Sequence, residues 1–307
     1  MSRVAVLKGG RSFERQVSLR SGARVEAALE RLGHEVVGID VDGDLVPRLR
    51  DADPDVAFLA LHGPDGEDGT VQELLEVMGI RYTGSRVSAC VRSADKVLAK
   101  QELRDAGVPT PDFVAFTQTA FRELGAAEAL PAIEERLDFP IVVKPAGQGS
   151  ALGVKVAHTA GDVPGALVAA FSYDAKVLLE RHVAGRDLAV SVLDGTPLPV
   201  VEAIPREEEF YDFEARYEIG ATDFRCPAVL PGDAAERAQD LALRTWNVLG
   251  LAGVARVDLM LDAERGDLWV LEANTIPGMT ETSLLPMAAD AAGIGFDALI
   301  ARVLALA

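Results

Sequence analysis

Apolar residues near the start of the chain occur in short β-branched runs that alternate with stretches of helical spacing. Alternation of this kind is typical of a parallel sheet whose strands are joined by crossover helices. Glycines interrupt the pattern where turns should lie, because they tolerate the left-handed backbone that helix ends require. The pattern predicts strands over Arg3–Lys8, Glu35–Val41 and Val56–Leu61, and a helix over Ser18–Leu32 that ends at Gly33.

A turn-rich segment, His62–Gly69, directly follows the third predicted strand. Open α/β sheets bind their ligands at the carboxyl edge, and a loop in this position lies at that edge. We therefore expect the loop to contribute to a binding site.

The pattern changes near Ser93, where a helix over Ala94–Ala106 is predicted. The elements beyond it are spaced as in an α+β fold with antiparallel pairing. We expect three units: an N-terminal α/β unit over 1–93, a central unit over 94–184 and a C-terminal unit over 185–307. The further predicted elements are strands over Ile141–Lys144, Gly153–Ala157 and Val177–Arg181, helices over Val163–Phe171 and Ala234–Leu249, a strand pair over Val254–Asn274, and two final helices split by Gly293 and Gly295.

The formal net charge of -18 restricts the possible partners. Such an acidic chain lacks the broad basic face that a nucleic-acid binder needs, and a nucleotide site here would have to gather its own lysines and arginines. No apolar run approaches the roughly 20 residues of a membrane helix, and the N-terminus lacks a signal-peptide core. We expect a cytoplasmic protein without nucleic-acid or membrane partners, in which Cys90 and Cys226 are reduced, buried thiols.

The predicted strand pair carries the most informative polar residues. Side chains alternate along a strand, so Arg256 and Asp258 share one face of the first strand, and Glu272 and Asn274 share one face of the second. A register with Asp258 opposite Glu272 would gather oxygen ligands that suit Mg²⁺ bridging nucleotide phosphates. The alternative is a cross-strand salt bridge on a solvated sheet. The apolar neighbours favour the metal site, because buried carboxylates need partners.

A glycine-rich segment, Gly147–Gly153, follows Lys144 at the end of a predicted strand. Glycines let backbone N–H groups approach phosphate oxygens closely, and a flap of this form can close over a nucleotide. The segment is not a Walker loop, because the Gly-Lys-Ser/Thr ending is absent and no helix follows. Alone, it is equally consistent with an ordinary turn.

Together these motifs resemble the ordered set of an ATP-grasp domain, and others resemble D-alanine–D-alanine ligases in particular. The ATP-grasp resemblance rests on Lys144 with its loop, Val177–Val183, Arg256-x-Asp258 and Glu272-Ala-Asn274. The ligase resemblance rests on Gly9–Ser18, Leu61–Gly69, Tyr82–Ser85 and Asn274–Thr280. It runs essentially end to end. It implies a three-domain ATP-grasp architecture and an enzyme that joins two D-alanines with ATP for peptidoglycan synthesis, acting as a homodimer.

The resemblance also implies roles in nucleotide binding. Lys96 and Lys144 would hold the phosphates of ATP, and Glu180 to Val183 would face adenine mostly through backbone groups. Asp187 would bind the ribose hydroxyls, where relatives usually have a glutamate. Asp258, Glu272 and Asn274 would hold two Mg²⁺ ions, for which Mn²⁺ could substitute.

The substrate residues follow from the same resemblance. Glu14 would receive the ammonium of the first D-alanine, with His62 nearby, and Ser150 and Tyr217 would hydrogen-bond to Glu14 and close the site. The tetrahedral oxyanion would be stabilised by Arg256 and the Gly278 N–H, and the second D-alanine carboxylate by Arg216 with Ser283. Simpler alternatives exist for three of them: Glu14 could cap a helix, His62 could satisfy a loop backbone, and Tyr217 could make a packing contact.

Four positions depart from the usual pattern of the family: Gln148, Ala151, Asp187 and Arg216. None removes an essential charge, but they leave the acceptor open. D-lactate or D-serine could replace the second D-alanine. A non-catalytic nucleotide sensor is a further alternative, against which the retained metal ligands and Arg256 argue. An NAD-dependent oxidoreductase is disfavoured because the Gly9-Gly10 turn lacks the G-x-G-x-x-G pattern.

Overall fold

A computed structural model describes residues 1–206 and 222–307 of the chain. Its N-terminal unit is a four-stranded parallel sheet in the order β2-β1-β3-β4. The elements of this unit are β1 (Arg3–Lys8), α1 (Arg15–Arg31), β2 (Glu35–Asp40), α2 (Leu45–Ala52), β3 (Val56–Leu59), α3 (Thr70–Met78) and β4 (Arg81–Tyr82). The parallel pairing confirms the prediction of crossover helices.

Helix α1 begins three residues before the predicted start at Ser18. Serine often caps a helix, but here the Ser18 hydroxyl is fully buried and turned inward. It accepts a hydrogen bond from the Gly9 N–H at 2.8 Å and donates to the Ala60 carbonyl at 2.7 Å. Glu14 therefore occupies the N-cap position, although its side chain makes no capping hydrogen bond.

The central unit contains a four-stranded antiparallel sheet in the order β5-β8-β6-β7. The helix predicted over Ala94–Ala106 forms over Lys96–Asp105, and Asp95 caps its start by accepting hydrogen bonds from the N–H groups of Val97 and Leu98. A separate helix, Val87–Ala94, precedes it. The elements are α4 (Val87–Ala94), α5 (Lys96–Asp105), β5 (Phe113–Thr117), α6 (Gln118–Glu123), α7 (Leu130–Leu137), β6 (Ile141–Pro145), β7 (Lys155–Ala157), α8 (Val163–Phe171) and β8 (Lys176–Arg181).

The C-terminal unit is built on an antiparallel sheet in the order β12-β11-β9-β13-β14, with β10 paired to β9. One long helix covers the face of this sheet that carries Val190, Val257 and Val270. The elements are β9 (Gly185–Leu193), β10 (Thr196–Pro197), β11 (Val201–Pro205), β12 (Thr222–Arg225), α9 (Ala234–Leu249), β13 (Val254–Asp262), β14 (Leu268–Asn274), α10 (Leu284–Ala291) and α11 (Phe296–Ala305).

The two final helices return to the N-terminal sheet. A single hydrophobic core contains Val6 of β1, Leu29 of α1, Leu285 of α10 and Leu299 of α11, together with Ala189 of β9. The first and last parts of the chain therefore share buried apolar surface. This arrangement brings the loop before α10 next to the carboxyl edge of the N-terminal sheet.

No single helix within residues 1–206 and 222–307 is long and apolar enough to cross a membrane; α10 and α11 meet that test only as a pair bent by 105°. Both cysteines are free. Cys90 is buried, and burial raises the pKa of its thiol to about 12. Cys226 is only partly buried, so the prediction of two buried thiols was wrong for this residue.

We expect Leu299→Ala to lower the free energy of unfolding by about 2–5 kcal/mol, because it opens a cavity in the core that joins the two ends of the chain. Leu124→Ala is the matched control, since its side chain is 78% exposed against 0% for Leu299. Urea unfolding of both variants checks this. Equal midpoints for the two variants would contradict the shared core.

Candidate active site

The hairpin of β13 and β14 places Asp258 opposite Glu272 and Arg256 opposite Asn274. This is the register that the metal site required. Arg256 donates two hydrogen bonds to the Asp258 carboxylate, at 2.7 and 2.9 Å, and Asn274 donates a third at 3.2 Å. A β-bulge follows Asp258, which locally bends the strand. Two carboxylates and an amide thus lie on one face with a guanidinium.

The ligand set of this face fits a hard divalent cation in its chemistry. Carboxylate and amide oxygens are the donors that Mg²⁺ prefers. Within the described part of the chain, no three His, Cys, Asp or Glu side chains cluster as a metal site, so the set consists of two carboxylates and one amide. Cationic side chains balance the two carboxylates: Arg256 contacts Asp258, and the Lys96 Nζ lies 3.2 Å from Glu272.

A buried charge cluster lies beside this face. Glu180 is 2% exposed and its carboxylate contacts two ammonium groups, Lys144 at 3.0 Å and Lys100 at 2.5 Å. Burial would raise the pKa of Glu180, but the charges of Lys100 and Lys144 outweigh it and lower the pKa below its ordinary value of 4.5. The ionised glutamate holds both lysines in fixed positions. Lys100 also donates to Thr110 Oγ1 at 2.5 Å.

The first cleft opens between the central and C-terminal sheets. Strand β8 and the segment after it form one wall, and β9, β13 and β14 form the other. Its lining contains seven of the site residues predicted from the sequence: Lys96, Lys144, Glu180, Val183, Asp187, Asp258 and Glu272. Its apolar lining includes Val142, Ala203, Met260 and Leu271. A ligand with a flat apolar ring can place that ring between these walls and its anionic end near the lysines.

The glycine-rich segment reaches from the central unit to the N-terminal unit. Ser150 donates a hydrogen bond to the Glu14 carboxylate, and both residues are buried. Ser150 and Ala151 have positive φ angles of 52° and 57°. Gly149 lies against Glu14, where an added Cβ would be 3.2 Å from a carboxylate oxygen. Phe13 adds an edge-to-face contact with Tyr173, at 5.8 Å between ring centroids.

The second cleft is lined by Glu14, His62, Glu67, Ser150, Arg256, Asn274, Gly278 and Ser283, among others. His62 is 5% exposed, and its Nδ1 lies 3.1 Å from the Ile276 carbonyl. It therefore both contacts a loop backbone and faces the cleft. Burial raises the pKa of the Glu67 carboxyl and the charge of Glu14 adds to this effect, whereas His62 opposes it.

The two clefts meet at one ion pair. Asp258 lines the first cleft and Arg256 lines the second, and the two side chains are joined by two hydrogen bonds. A phosphate held by the lysines of the first cleft can therefore reach a carboxylate held in the second.

Two candidates, Arg216 and Tyr217, lie outside the described residues, so nothing is said of their position. Sequence reasoning missed Lys100 and Glu67. Lys100 follows Lys96 by one helical turn on α5, and that spacing was a readable signal. Glu67 lies in the loop that was expected to form a site.

Comparison with known proteins agrees with this geometry. Residues 103–305 match the family described as D-ala D-ala ligase C-terminus, and residues 46–85 match D-ala D-ala ligase N-terminus. The chain is 45% identical to the D-alanine–D-alanine ligase of Syntrophotalea carbinolica, covering 99% of this chain and 95% of that protein.

Solved structures agree as well. D-alanine–D-alanine ligase from Bacillus anthracis complexed with ATP is 34% identical with a TM-score of 0.84, covering 100% of this chain and 97% of that one. The VanG D-Ala:D-Ser ligase from Enterococcus faecalis is 25% identical with a TM-score of 0.83, covering 99% and 98%.

Replacing Lys100 by Met keeps the length of the side chain and leaves Glu180 with one cationic partner. We expect the free energy of unfolding to fall by about 3 kcal/mol, the lower end for a broken buried pair, because Lys144 remains. Glu180 has a lowered pKa, so its contribution is present above pH 4.5 and is lost as pH falls through the folded pKa. In the variant the folded pKa should be lowered less, so that loss should be smaller and should be complete at a higher pH.

Urea unfolding between about pH 3 and pH 7 measures both effects. Lys155→Met, at an exposed position of β7, is the control. The cluster would lose its assigned role if Lys100→Met and the control gave the same profile.

Proposed function

The chain belongs to the D-alanine–D-alanine ligase family, and on that premise we propose which of its residues carry out the reaction. It is an ATP-dependent ligase that joins two D-alanines to D-alanyl-D-alanine for peptidoglycan synthesis. The observation that supports the site assignment best is the meeting of the two clefts at Arg256 and Asp258. A protein that only binds a nucleotide would not need a second polar cleft joined to the first.

ATP is assigned to the first cleft. Its adenine would lie against Met260 and Leu271, near the backbone of Val183, and Asp187 would bind the ribose hydroxyls. Lys96 and Lys144 would neutralise the phosphates, as the acidic chain requires. Lys100 acts indirectly: it holds Glu180 in position, and Glu180 in turn holds Lys144.

Two Mg²⁺ ions, or Mn²⁺, would be held by Asp258, Glu272 and Asn274. When bound, such ions neutralise charge on the β- and γ-phosphates. Arg256 and Lys96 already contact the two carboxylates, so these side chains must share them with the ions or move aside.

The first D-alanine is assigned to the second cleft. Glu14 would bind its ammonium beside His62, which leaves its carboxylate toward Arg256 and the nucleotide. That carboxylate attacks the γ-phosphorus, ADP leaves, and an acyl phosphate forms. Ser150 holds the flap over Glu14 and Tyr217 would add to this closure, which protects the acyl phosphate from water.

The second D-alanine attacks the acyl carbonyl through its amine, and phosphate leaves. Arg256 and the Gly278 N–H would stabilise the oxyanion that develops. Arg216 with Ser283 would bind the acceptor carboxylate; the guanidinium can do so with two parallel hydrogen bonds. The position of Ser283 in the second cleft beside Gly278 supports this role.

We also propose a cytoplasmic homodimer. The reactants ATP and D-alanine suit that compartment. Exposed apolar side chains on two neighbouring helices, Val77 of α3 and Val91 of α4, give a surface for a second copy. Analytical ultracentrifugation measures the oligomeric state.

We expect ATP to be converted with release of one phosphate per D-alanyl-D-alanine when D-alanine is the only amino acid supplied. Phosphate and dipeptide are measured with D-alanine, D-serine and D-lactate, alone and in pairs. A mixed product in preference to D-alanyl-D-alanine would show a different acceptor, as in the D-Ala:D-Ser ligase that the chain resembles. If none of the three compounds led to phosphate release, the result would support the nucleotide sensor instead.

We expect Glu272→Gln to lower dipeptide formation by about a hundredfold or more, because the amide keeps the shape of the ligand but loses several kcal/mol of charge stabilisation. Glu264→Gln, in the exposed turn of the same hairpin, is the control. Steady-state rates at saturating ATP check both variants. Near wild-type activity of Glu272→Gln at saturating Mg²⁺ would remove this residue from the metal ligands.

A further inference from the structure

Two side chains of helix α1 form hydrogen bonds with the turn that contains Gly278. Ser21 accepts a hydrogen bond from the Met279 N–H at 3.2 Å, and Arg24 donates one to the Met279 carbonyl at 2.8 Å. Both backbone polar groups of Met279, the residue after Gly278, are thus held by side chains one helical turn apart. Neither Ser21 nor Arg24 lines the two clefts described above.

Ser21 also continues a directional chain of hydrogen bonds. The Ile276 carbonyl can only accept, so His62 Nδ1 carries the ring proton and donates to it at 3.1 Å. His62 Nε2 then accepts from the Ser21 hydroxyl at 3.1 Å. The chain runs from the Met279 N–H through Ser21 and His62 back to Ile276, and it encloses Gly278.

Solvent cannot replace these hydrogen bonds, because the residues that form them are buried. Ser21 is 0% exposed, Met279 3% and His62 5%. A buried donor or acceptor without a partner costs about 1–3 kcal/mol, so only one arrangement of the turn satisfies all these groups. Ser283 packs closely against Gly278, because an added Cβ would lie 2.6 Å from Ser283 Oγ.

Arg24 is itself held in place. Its guanidinium lies 4.0 Å from the centre of the Phe296 ring at the start of α11, and its Nε lies 3.4 Å from Glu281. The contact with the Met279 carbonyl is therefore made by a restrained side chain.

The same helix begins directly after Glu14. Ser21 follows Glu14 by seven residues, which corresponds to two helical turns and about 10 Å along the axis. We propose that Ser21 and Arg24 are positioning residues: through α1 they hold the Gly278 N–H at a fixed distance from Glu14, and so align the oxyanion donor with the bound first substrate. This inference rests on the proposed roles of Glu14 and Gly278.

The test compares Ser21→Ala with Ser18→Ala. Both remove a fully buried serine hydroxyl from the same face of α1, but Ser18 contacts Gly9 and Ala60 rather than the Gly278 turn. We expect Ser21→Ala to lower kcat for dipeptide about tenfold to a hundredfold, the effect of misplacing a catalytic group by about 1 Å. Its KM for ATP should stay unchanged. Because the acyl phosphate still forms but is captured poorly, more phosphate should be released per dipeptide.

Ser18→Ala should lose stability in thermal unfolding, yet keep the wild-type kcat and the wild-type ratio of phosphate to dipeptide. Ser21→Thr restores a hydroxyl and should recover part of kcat. Arg24→Gln, at a partly exposed position, should raise the same ratio even if Ser21→Ala fails to fold.

The proposal is overturned if Ser21→Ala and Arg24→Gln keep the wild-type kcat and ratio, or if their main defect lies in the KM for ATP. Failure of the proposed function would be distinct, because the wild-type protein itself would then form no D-alanyl-D-alanine.

Discussion

The register of the β13–β14 hairpin is the constraint on which the site depends. Side chains alternate between the two faces of a sheet, so a slip by one residue would move Glu272 and Asn274 away from Asp258 and into the apolar core beneath α9. The register is fixed from both sides. Val257, Leu259 and Val270 are fully buried on the opposite face, and β9 pairs with β13 along its whole length.

A fixed hairpin then decides where the nucleotide and the substrate can meet. Arg256 and Asp258 face the same way because they are two residues apart, and their pairing joins the two clefts. Other elements bring further proposed site residues to this point. Strand β6 brings Lys144, helix α5 brings Lys96, and the flap brings Ser150 over Glu14.

The acidity of the chain makes the cationic groups of the site notable. A net charge of -18 repels nucleotide, so attraction must be local. The structure places three lysines beside one cleft and fixes two of them on a single buried glutamate. An ionised pair at such depth is held by geometry and hydrogen bonds rather than by a net gain over apolar packing. The contribution of this buried cluster is that it fixes the position of Lys144.

The sequence determined the parts of this protein that depend on local pattern. Alternating and helical spacing predicted the parallel N-terminal sheet, the long helix Ala234–Leu249 and the hairpin, and ordered motifs indicated the family. The two strands are close in sequence, so a hairpin with a suitable register could be expected to bring Asp258 and Glu272 together. Local signals were weaker at helix starts: the first long helix was predicted to begin at Ser18 but begins at Arg15, and the Ser18 hydroxyl bonds to residues nine and 42 positions away.

Only the tertiary structure decided the contacts between distant segments. Lys100 became a partner of Glu180, 80 residues further along the chain, through the packing of α5 against the central sheet. The meeting of Ser150 with Glu14 spans 136 residues, and that of Ser21 with Met279 spans 258. No periodicity encodes such pairs, since they arise when segments far apart in the sequence bury a common surface. The sequence therefore supplied the chemical groups and their local faces, and the shared core set the distances between them.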